Sequence, residues 1–544
     1  MAGITGTGTI IIEPSNDAGR VRFQSLVNID GSVVVYGELN LRRSGAPSIS
    51  GLLDVYGLVT IEFGNQFLTS DSVVNVKSGG ELMAYSSTEN LIPRLILEGG
   101  SLVTINDNGG INPGLIWTTN LTVLATNTTA QIVGAGNFGF TNSTPVTIYG
   151  GPAAATSELL ISARISTGGF EKFGPGRMRL TGTNTFSGSV IVSEGIVEAA
   201  NATALGNTTG STFLTGGELR LANALIGGES LYAVGNAGST SRLYAPNGTV
   251  NSWAGSVFLN APLEVVMQGS ASVDFTGVIQ DTATLIKSGS GSMRMSGTAV
   301  NTYSGQTAVW DGTLELQRTV GNAINGPLLI STGTNSLTPA TVRLFTSTVI
   351  GDVAVTINRY GLLDLSGYVD GVGSLTLAGG EVDSGPGTFS FGGNPTILAS
   401  PAASQINGNL DLGVLTKTFD IPTNAVLAIG ANMTANSGVG IQKNGVGALA
   451  LSGNNTYNGL TVVNAGRVSL GNANALGSTA VGTMLNGGTL DLAKLTYPAE
   501  RLTNNSAASV LAFGPYATPG GAVWVGGITL NAELEIYVDE ITGV

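Results

Sequence analysis

Three lysines occupy equivalent positions in repeated segments of the chain, and a recurring amine is the first feature that could bind a ligand. They are Lys172, Lys287 and Lys443. A row of exposed ammonium groups would bind acidic glycans. A repeated position usually serves the repeat itself, so we favour outward lysines that keep each turn soluble and discourage pairing of sheet edges.

Carboxylates that could serve a catalytic site precede a glycine in two of these repeats. They are Glu194 and Asp311, and the third repeat has Ala465 at this position. Because one copy lacks the carboxylate and the segment runs from a strand into a turn, we expect a structural role. The sequence therefore predicts no catalytic residue.

Asparagine and aspartate oxygens in residues 106–110 (Asn-Asp-Asn-Gly-Gly) could hold Ca²⁺. The segment lacks a spaced set of carboxylates, so we expect an ordinary turn and no metal site.

An aromatic residue also recurs at one position of the three repeats, as Phe186, Tyr303 and Tyr457. An exposed aromatic track could stack on sugar rings. We favour instead buried rings that close the core at a corner of the fold.

Composition excludes several classes of function. The chain has no Cys and no His, which rules out disulfides, Cys/His zinc sites and histidine-based catalysis. Its formal net charge is −13 without a basic cluster, so nucleic acid is not an expected partner. No apolar run reaches the ~18 residues of a membrane helix, and no cofactor motif is present. We expect a protein without cofactors that does not span a membrane.

Short strands joined by tight turns dominate the pattern. The segment Gly79-Gly80-Glu81-Leu82 returns as Gly99-Gly100-Ser101-Leu102, 20 residues later, and again at Gly487 and Gly488. This spacing is about one turn of a β-helix. Since no helical periodicity is sustained, we predict an all-β parallel solenoid of about 22–27 rungs with little or no α-helix.

A longer repeat of about 50 residues occurs three times. Each copy runs Lys-x-Gly-x-Gly and then, further on, Asn-Thr-Tyr/Phe-x-Gly, which ends at Gly188, Gly305 or Gly459. These copies divide the chain into residues 1–169, 170–284, 285–440 and 441–544, which we expect to form one continuous solenoid.

The ordered string resembles the autotransporter-associated β-strand repeat, also called the passenger-associated transport repeat. The fullest match runs from Lys443 to Leu492. The resemblance implies a right-handed β-helix of a bacterial surface or secreted protein, similar to adhesins and large structural repeat proteins.

Three functions are compatible with this sequence. We favour a non-enzymatic structural or adhesive β-helix at the cell surface or outside the cell, with surface glycans or further copies of itself as partners. Its open rung edges could join copies into fibres. A bacteriophage fibre or other virion protein is the second hypothesis, since no secretory signal is recognisable at Met1. A polysaccharide lyase or hydrolase is the third, but acidic residues are sparse and scattered.

Overall fold

The structure is a computed structural model. It describes residues 4–14, 20–23, 27–42, 48–62, 67–85, 90–105, 115–150, 158–235, 240–334, 338–493, 495–513 and 522–538. The predicted turn at residues 106–110 lies outside the described residues.

The chain forms two compact units, Met1–Gln280 and Asp281–Val544. The strands of the first unit are β1 (Ile4–Gly6), β2 (Ile10–Ile12), β3 (Val21–Phe23), β4 (Val27–Ile29), β5 (Val33–Val35), β6 (Glu38–Arg42), β7 (Ser48–Ile49), β8 (Leu52–Val55), β9 (Leu58–Glu62), β10 (Val73–Lys77), β11 (Glu81–Tyr85), β12 (Asn90–Glu98), β13 (Ser101–Ile105), β14 (Leu115–Val123), β15 (Ala130–Gly134), β16 (Asn137–Phe140), β17 (Thr144–Ile148), β18 (Leu159–Ile161), β19 (Arg164–Thr167), β20 (Phe170–Phe173), β21 (Arg177–Leu180), β22 (Val190–Val192), β23 (Ile196–Ala199), β24 (Ser211–Leu214), β25 (Glu218–Leu221), β26 (Leu225–Ile226), β27 (Ser230–Ala233), β28 (Ser241–Ala245), β29 (Val250–Trp253), β30 (Val257–Leu259), β31 (Leu263–Met267) and β32 (Ser272–Phe275). The next strand, β33 (Ile279–Asp281), contains the boundary.

The strands of the second unit are β34 (Leu285–Ser288), β35 (Ser292–Gly297), β36 (Thr307–Val309), β37 (Gly312–Arg318), β38 (Leu328–Ile330), β39 (Ala340–Leu344), β40 (Ala354–Asn358), β41 (Gly361–Asp364), β42 (Asp370–Val372), β43 (Ser374–Ala378), β44 (Glu381–Asp383), β45 (Phe389–Phe391), β46 (Thr396–Ile397), β47 (Ser404–Asn407), β48 (Asn409–Asp411), β49 (Lys417–Asp420), β50 (Val426–Ile429), β51 (Asn432–Thr434), β52 (Ile441–Asn444), β53 (Ala448–Leu451), β54 (Thr461–Val463), β55 (Arg467–Leu470), β56 (Thr483–Leu485), β57 (Gly488–Leu492), β58 (Thr496–Tyr497), β59 (Leu502–Asn504), β60 (Ser509–Phe513), β61 (Val523–Trp524), β62 (Ile528–Leu530) and β63 (Glu535–Val538).

Strands of successive turns pair in parallel, so each face of a unit is one sheet along the solenoid. The two long faces of the first unit follow the orders β2-β5-β8-β10-β12-β14-β17-β20-β22-β24-β27-β30 and β3-β6-β9-β11-β13-β15-β18-β21-β23-β25-β28-β31. Those of the second follow β34-β36-β38-β40-β43-β46-β49-β52-β54-β56-β59-β62 and β35-β37-β39-β41-β44-β47-β50-β53-β55-β57-β60-β63. In the first unit a further sheet begins with β26-β29-β32, and in the second unit the four strands β42-β45-β48-β51 form a shorter sheet.

The repeated Gly-Gly segment marks one turn of the solenoid, as its spacing predicts. Leu82 on β11 pairs directly with Leu102 on β13, 20 positions later, and both side chains are buried. Alternate residues of each strand point into the unit, where one turn covers the apolar face of the next. The core is therefore a column of mainly aliphatic side chains, with some aromatic rings, enclosed by the sheets.

The predicted fold class is confirmed. The protein is an all-β parallel solenoid of about 22 turns, and no helix occurs among the described residues. That number lies at the lower end of the expected range. Continuity of the four predicted segments as one solenoid stays a prediction.

Candidate functional site

The three repeat lysines (Lys172, Lys287 and Lys443) have the same environment, and it is inside the protein. Lys172 lies on β20 with none of its surface exposed. Its Nζ donates hydrogen bonds to the carbonyls of Phe173 at 2.8 Å, Gly174 at 2.6 Å and Glu194 at 3.3 Å. The first two acceptors belong to the lysine's own turn of the solenoid, and the third belongs to the next turn. The ammonium group thus ties two turns together.

Lys287 repeats this arrangement in the second unit, where it is 1% exposed. Its acceptors are the carbonyls of Ser288 at 3.0 Å, Gly289 at 2.7 Å and Asp311 at 3.0 Å. The match to Lys172 is residue for residue, so the geometry belongs to the repeat.

Lys443 completes the set and is also 1% exposed. It donates to the carbonyls of Asn444 and Gly445, both at 2.6 Å, and of Ala465 at 3.2 Å. The third acceptor is thus Glu194, Asp311 or Ala465, according to the repeat. This position contributes a backbone carbonyl to the lysine, which explains why its side chain can vary.

Our interpretation of the repeat lysines as outward, solubilising residues is therefore wrong, and a glycan cannot reach their ammonium groups. The three N–H donors of an ammonium ion match three carbonyls at a corner of the solenoid, and this match makes burial tolerable. Loss of water lowers the pKa of Lys172 to about 8, of Lys287 to about 7 and of Lys443 to about 8.

A glycine follows each third acceptor because there is no room for a side chain. Gly195, Gly312 and Gly466 have φ values of +63°, +68° and +73°. A Cβ at Gly312 would lie 2.9 Å from Nζ of Lys287, and one at Gly466 would lie 2.8 Å from Nζ of Lys443. The left-handed backbone and the close ammonium group both require glycine here.

The recurring aromatic residues are buried, as we expected, and cannot stack on sugars. Phe186, Tyr303 and Tyr457 are 0% exposed. The two tyrosine hydroxyls share hydrogen bonds with Thr307 at 2.6 Å and Thr461 at 2.7 Å. Burial raises the pKa of both tyrosines above their usual value.

The glycines that close the Asn-Thr-Tyr/Phe segment lie against backbone of the preceding turn. A Cβ at Gly188, Gly305 or Gly459 would collide with it. Gly487 and Gly488 both have positive φ, and a Cβ at Gly488 would lie 2.6 Å from the Gly466 carbonyl.

The asparagine of the same segment has a role that our sequence analysis missed. Asn455 accepts the Met433 N–H at 2.8 Å and donates to the Ala475 carbonyl at 2.6 Å, so it joins a turn on either side of its own. Asn184 makes the equivalent bonds in the first repeat. Its invariance across the three copies was the signal that could have revealed this role.

Two buried carboxyl groups were also missed. Glu229 and Glu500 are each 3% exposed and accept hydrogen bonds from Thr212 and Thr483. Burial raises the pKa of both glutamates to about 7. In each pair the threonine and the glutamate are 17 positions apart, and the two pairs occupy matching places relative to the first and third long repeats.

An outward-facing column of the first unit is charged and aromatic, although its Glu198 is covered by the neighbouring arginines Arg177 and Arg179. Arg179, Glu198, Arg220 and Tyr244 are in register on consecutive strands β21, β23, β25 and β28. The Arg220 guanidinium lies 4.6 Å from the Tyr244 ring centroid, and Arg242 lies 5.9 Å from it. We call the five side chains of Arg179, Glu198, Arg220, Arg242 and Tyr244 the Arg–Tyr face.

No group of acidic side chains suited to hold a metal ion occurs among the described residues. In the same part of the chain, no helix is long and apolar enough to cross a membrane. The Glu194 carboxylate accepts the Gly174 N–H at 2.8 Å, which fits the structural role that we expected for it.

Comparison with known proteins identifies the repeats. The Passenger-associated-transport-repeat family matches residues 170–199, 285–316 and 441–470, each of which contains one repeat lysine. The chain is a β-helix of the autotransporter passenger type. Over 555 aligned residues this passenger-type chain is 25% identical to the Adhesin BmaC autotransporter of Brucella suis biovar 1 (strain 1330).

That alignment covers 86% of the present chain and 15% of the relative, so the passenger-type chain spans a small part of the adhesin that it matches. Together, the repeats and the relative indicate a passenger domain at the cell surface or outside the cell.

Proposed function

We propose that this chain is a non-enzymatic adhesive module, which holds outward side chains against the surface of another cell. The observation that carries the proposal is the alignment of 86% of the chain with an autotransporter adhesin. The fold supports it, because a solenoid presents long, regular outer faces while its polar and apolar repeat residues are engaged inside.

The Arg–Tyr face is the surface that we propose for contact with glycans. Arginine binds carboxylate groups of acidic sugars through paired N–H donors, and a half-buried tyrosine adds a ring at the same place. Of the two arginines near the Tyr244 ring, Arg242 is the more accessible, with 45% of its side chain exposed. Glu218 and Glu264 flank it within 3.4 Å and 3.6 Å, so the face would favour compact anionic groups over extended polyanions.

The test is binding of the purified, labelled chain to cultured epithelial cells, measured by flow cytometry before and after enzymatic removal of cell-surface glycans. We expect saturable binding that falls several-fold after glycan removal and in the variant R242A/Y244A. Arg343→Ala is the matched control, because Arg343 is equally exposed but lies in the second unit. Equal binding by R242A/Y244A and R343A would refute the Arg–Tyr face, and no binding to untreated cells would refute adhesion.

Association of copies through rung edges, predicted from the sequence, is a further proposal. Backbone groups at an unpaired strand edge can pair with another chain. In sedimentation velocity at rising concentration we expect species larger than the monomer. A single monomeric boundary throughout the range would contradict self-assembly and leave the adhesion proposal intact.

A further inference from the structure

A turn of the second unit exposes two adjacent apolar side chains. The turn joins β48 to β49, and it presents Val414 with 70% and Leu415 with 67% of its surface exposed. These are the two most exposed large apolar residues of the described chain. Turns are usually built from Gly, Pro, Asn, Asp and Ser, so an apolar pair at the tip calls for an explanation.

Two concave surfaces border this apolar ridge, Val414–Leu415, and both include its two side chains in their linings. One has a volume of about 600 Å³, and its lining includes Asn394, Ser437 and Val439 of the neighbouring turns. The other has a volume of about 400 Å³, and its lining includes Asp352 and Asp411. The ridge and its two concavities therefore form one surface with an apolar centre and polar walls.

The smaller concavity has two carboxylates and one largely buried lysine in its lining. Asp352 is exposed and Asp411 is half-buried, with one oxygen accepting the Gly413 N–H at 2.9 Å. Lys417 also lines this concavity, but it is 5% exposed. Its Nζ donates to the Phe391 carbonyl at 2.9 Å and to a second carbonyl, that of Gly393, at 2.8 Å. Its ammonium group is thus held inside the protein, where Asp411 attracts it, and it offsets only part of the charge of the two carboxylates.

We propose that the Val414–Leu415 ridge and its two concavities form a docking surface for a basic, amphipathic segment of another protein. An apolar side chain of that segment packs against the ridge, and a lysine or arginine beside it pairs with Asp352 and Asp411. This goes beyond the glycan contact proposed above, because both the surface and the chemistry of the partner are different.

Charge disfavours the other occupants of this surface. Acidic glycans and anionic lipid headgroups would be repelled by the two carboxylates. A second copy of this chain, with a formal net charge of −13, would meet the same repulsion.

The experiment measures fluorescence anisotropy of a labelled peptide of lysines with a leucine at every third position, titrated with the full chain. A peptide with glutamate in place of lysine is the ligand control. We expect binding of the basic peptide that weakens at least about tenfold in V414S/L415S and in D352N/D411N. All four side chains face solvent at least in part, so both variants should keep the wild-type melting temperature.

Two matched variants separate docking from general attraction to an acidic protein. Val446→Ser removes an equally exposed valine from another turn, and Asp71→Asn removes an exposed carboxylate of the first unit. We expect wild-type affinity in both. The proposal is overturned if they weaken binding as much as the ridge variants, if the acidic peptide binds equally well, or if anionic vesicles bind in place of the basic peptide. This measurement does not depend on cell adhesion, so a failure of the docking proposal can be distinguished from a failure of the adhesion proposal.

Discussion

Each repeat lysine replaces the water around its ammonium group with three backbone carbonyls. An unpaired buried ammonium ion would be very costly, whereas one that satisfies three acceptors can hold two turns at a fixed distance. Each of these carbonyls in turn accepts a hydrogen bond from a charged donor, which is stronger than one from a neutral donor. Lysine suits this place because its long stem brings a compact group with three donors into the corner.

Replacing a repeat lysine by methionine should be strongly destabilising. In Lys287→Met the side chain keeps about the same length, but its three hydrogen bonds to the carbonyls of Ser288, Gly289 and Asp311 are lost. We expect a loss of about 2–4 kcal/mol in the free energy of unfolding, measured by denaturant titration.

Lys77→Met is the matched control for this substitution. Lys77 pairs with Glu98 at 2.6 Å and keeps 21% of its side chain exposed. Its loss should cost about 1 kcal/mol or less. Equal effects of the two substitutions would show that the repeat lysines do not tie turns together.

The direction in which these lysines point could not be predicted from their spacing. A charged residue that recurs every hundred or more positions suggests solvent, because burial of an unpaired charge is costly. The deciding partners are backbone carbonyls, which carry no signature in the sequence. The recurring aromatic residues were predicted correctly, since a large ring between core strands has few other places to go.

At the scale of the strand and turn, stacking lets a polar side chain form a hydrogen bond with the equivalent side chain of the next turn. On the second unit, five asparagines of successive turns form a chain of amide hydrogen bonds of 2.7, 2.9, 3.0 and 2.8 Å. The residues are Asn444, Asn464, Asn486, Asn505 and Asn531. Such ladders follow from parallel, in-register stacking, so a ladder of asparagines could be expected once a solenoid was predicted. Which asparagines form it depends on the geometry of the turns, which the sequence does not show.

The buried Thr–Glu pairs obey a simple rule across the three repeats. Thr212 and Thr483 pair in register with Leu231 and Leu502, two positions after each glutamate. In the second repeat Leu328 stands in the threonine position and pairs with Val355, which puts Val353 in place of glutamate. The two positions are thus either both polar or both apolar.

These pairs predict a pH dependence of stability with a definite sign. The pKa of Glu229 and Glu500 is about 7 in the folded protein against an ordinary 4.5, so the folded state binds more protons between these values. Their stabilising contribution is complete below pH 4.5 and is lost as the pH rises through 7. We expect the free energy of unfolding to be higher at about pH 5 than at about pH 7, by about 2 kcal/mol per carboxyl group. The melting temperature should be higher at pH 5 for the same reason.

The second repeat supplies the control for this pH effect. The variant T212L/E229V/T483L/E500V has the leucine and valine of the second repeat in place of both Thr–Glu pairs. The melting temperature of this variant should change less over the same pH interval. An unchanged pH dependence in that variant would mean that other groups are responsible. The repeat lysines act in the opposite direction, because a lowered lysine pKa adds stability as the pH rises through its folded value. Of the three, Lys287 titrates nearest this interval, with a pKa of about 7, and it is present in both the wild type and the variant.

At the scale of the whole molecule, the sequence and the structure agree on a protein whose polar chemistry is mostly structural. Charged residues make up 10% of the chain, and several of the buried ones bind its own backbone. What remains for a partner lies on outer faces and turns, which fits a passenger at the cell surface. Fold class and surface location could be predicted because they follow from repeated patterns. The Val414–Leu415 ridge could not be predicted in this way, because it occurs once and belongs to none of the repeated patterns.

We propose above that this solenoid is adhesive by itself. The most direct test displays the full chain on a non-adherent bacterium through a membrane anchor and counts bacteria bound to an epithelial monolayer. Display and folding are verified by resistance of the chain to added protease. We predict several-fold more bound bacteria than with the anchor alone, and competition by the purified chain. Equal numbers with a displayed, protease-resistant chain and with the anchor alone would show that the solenoid is not adhesive by itself.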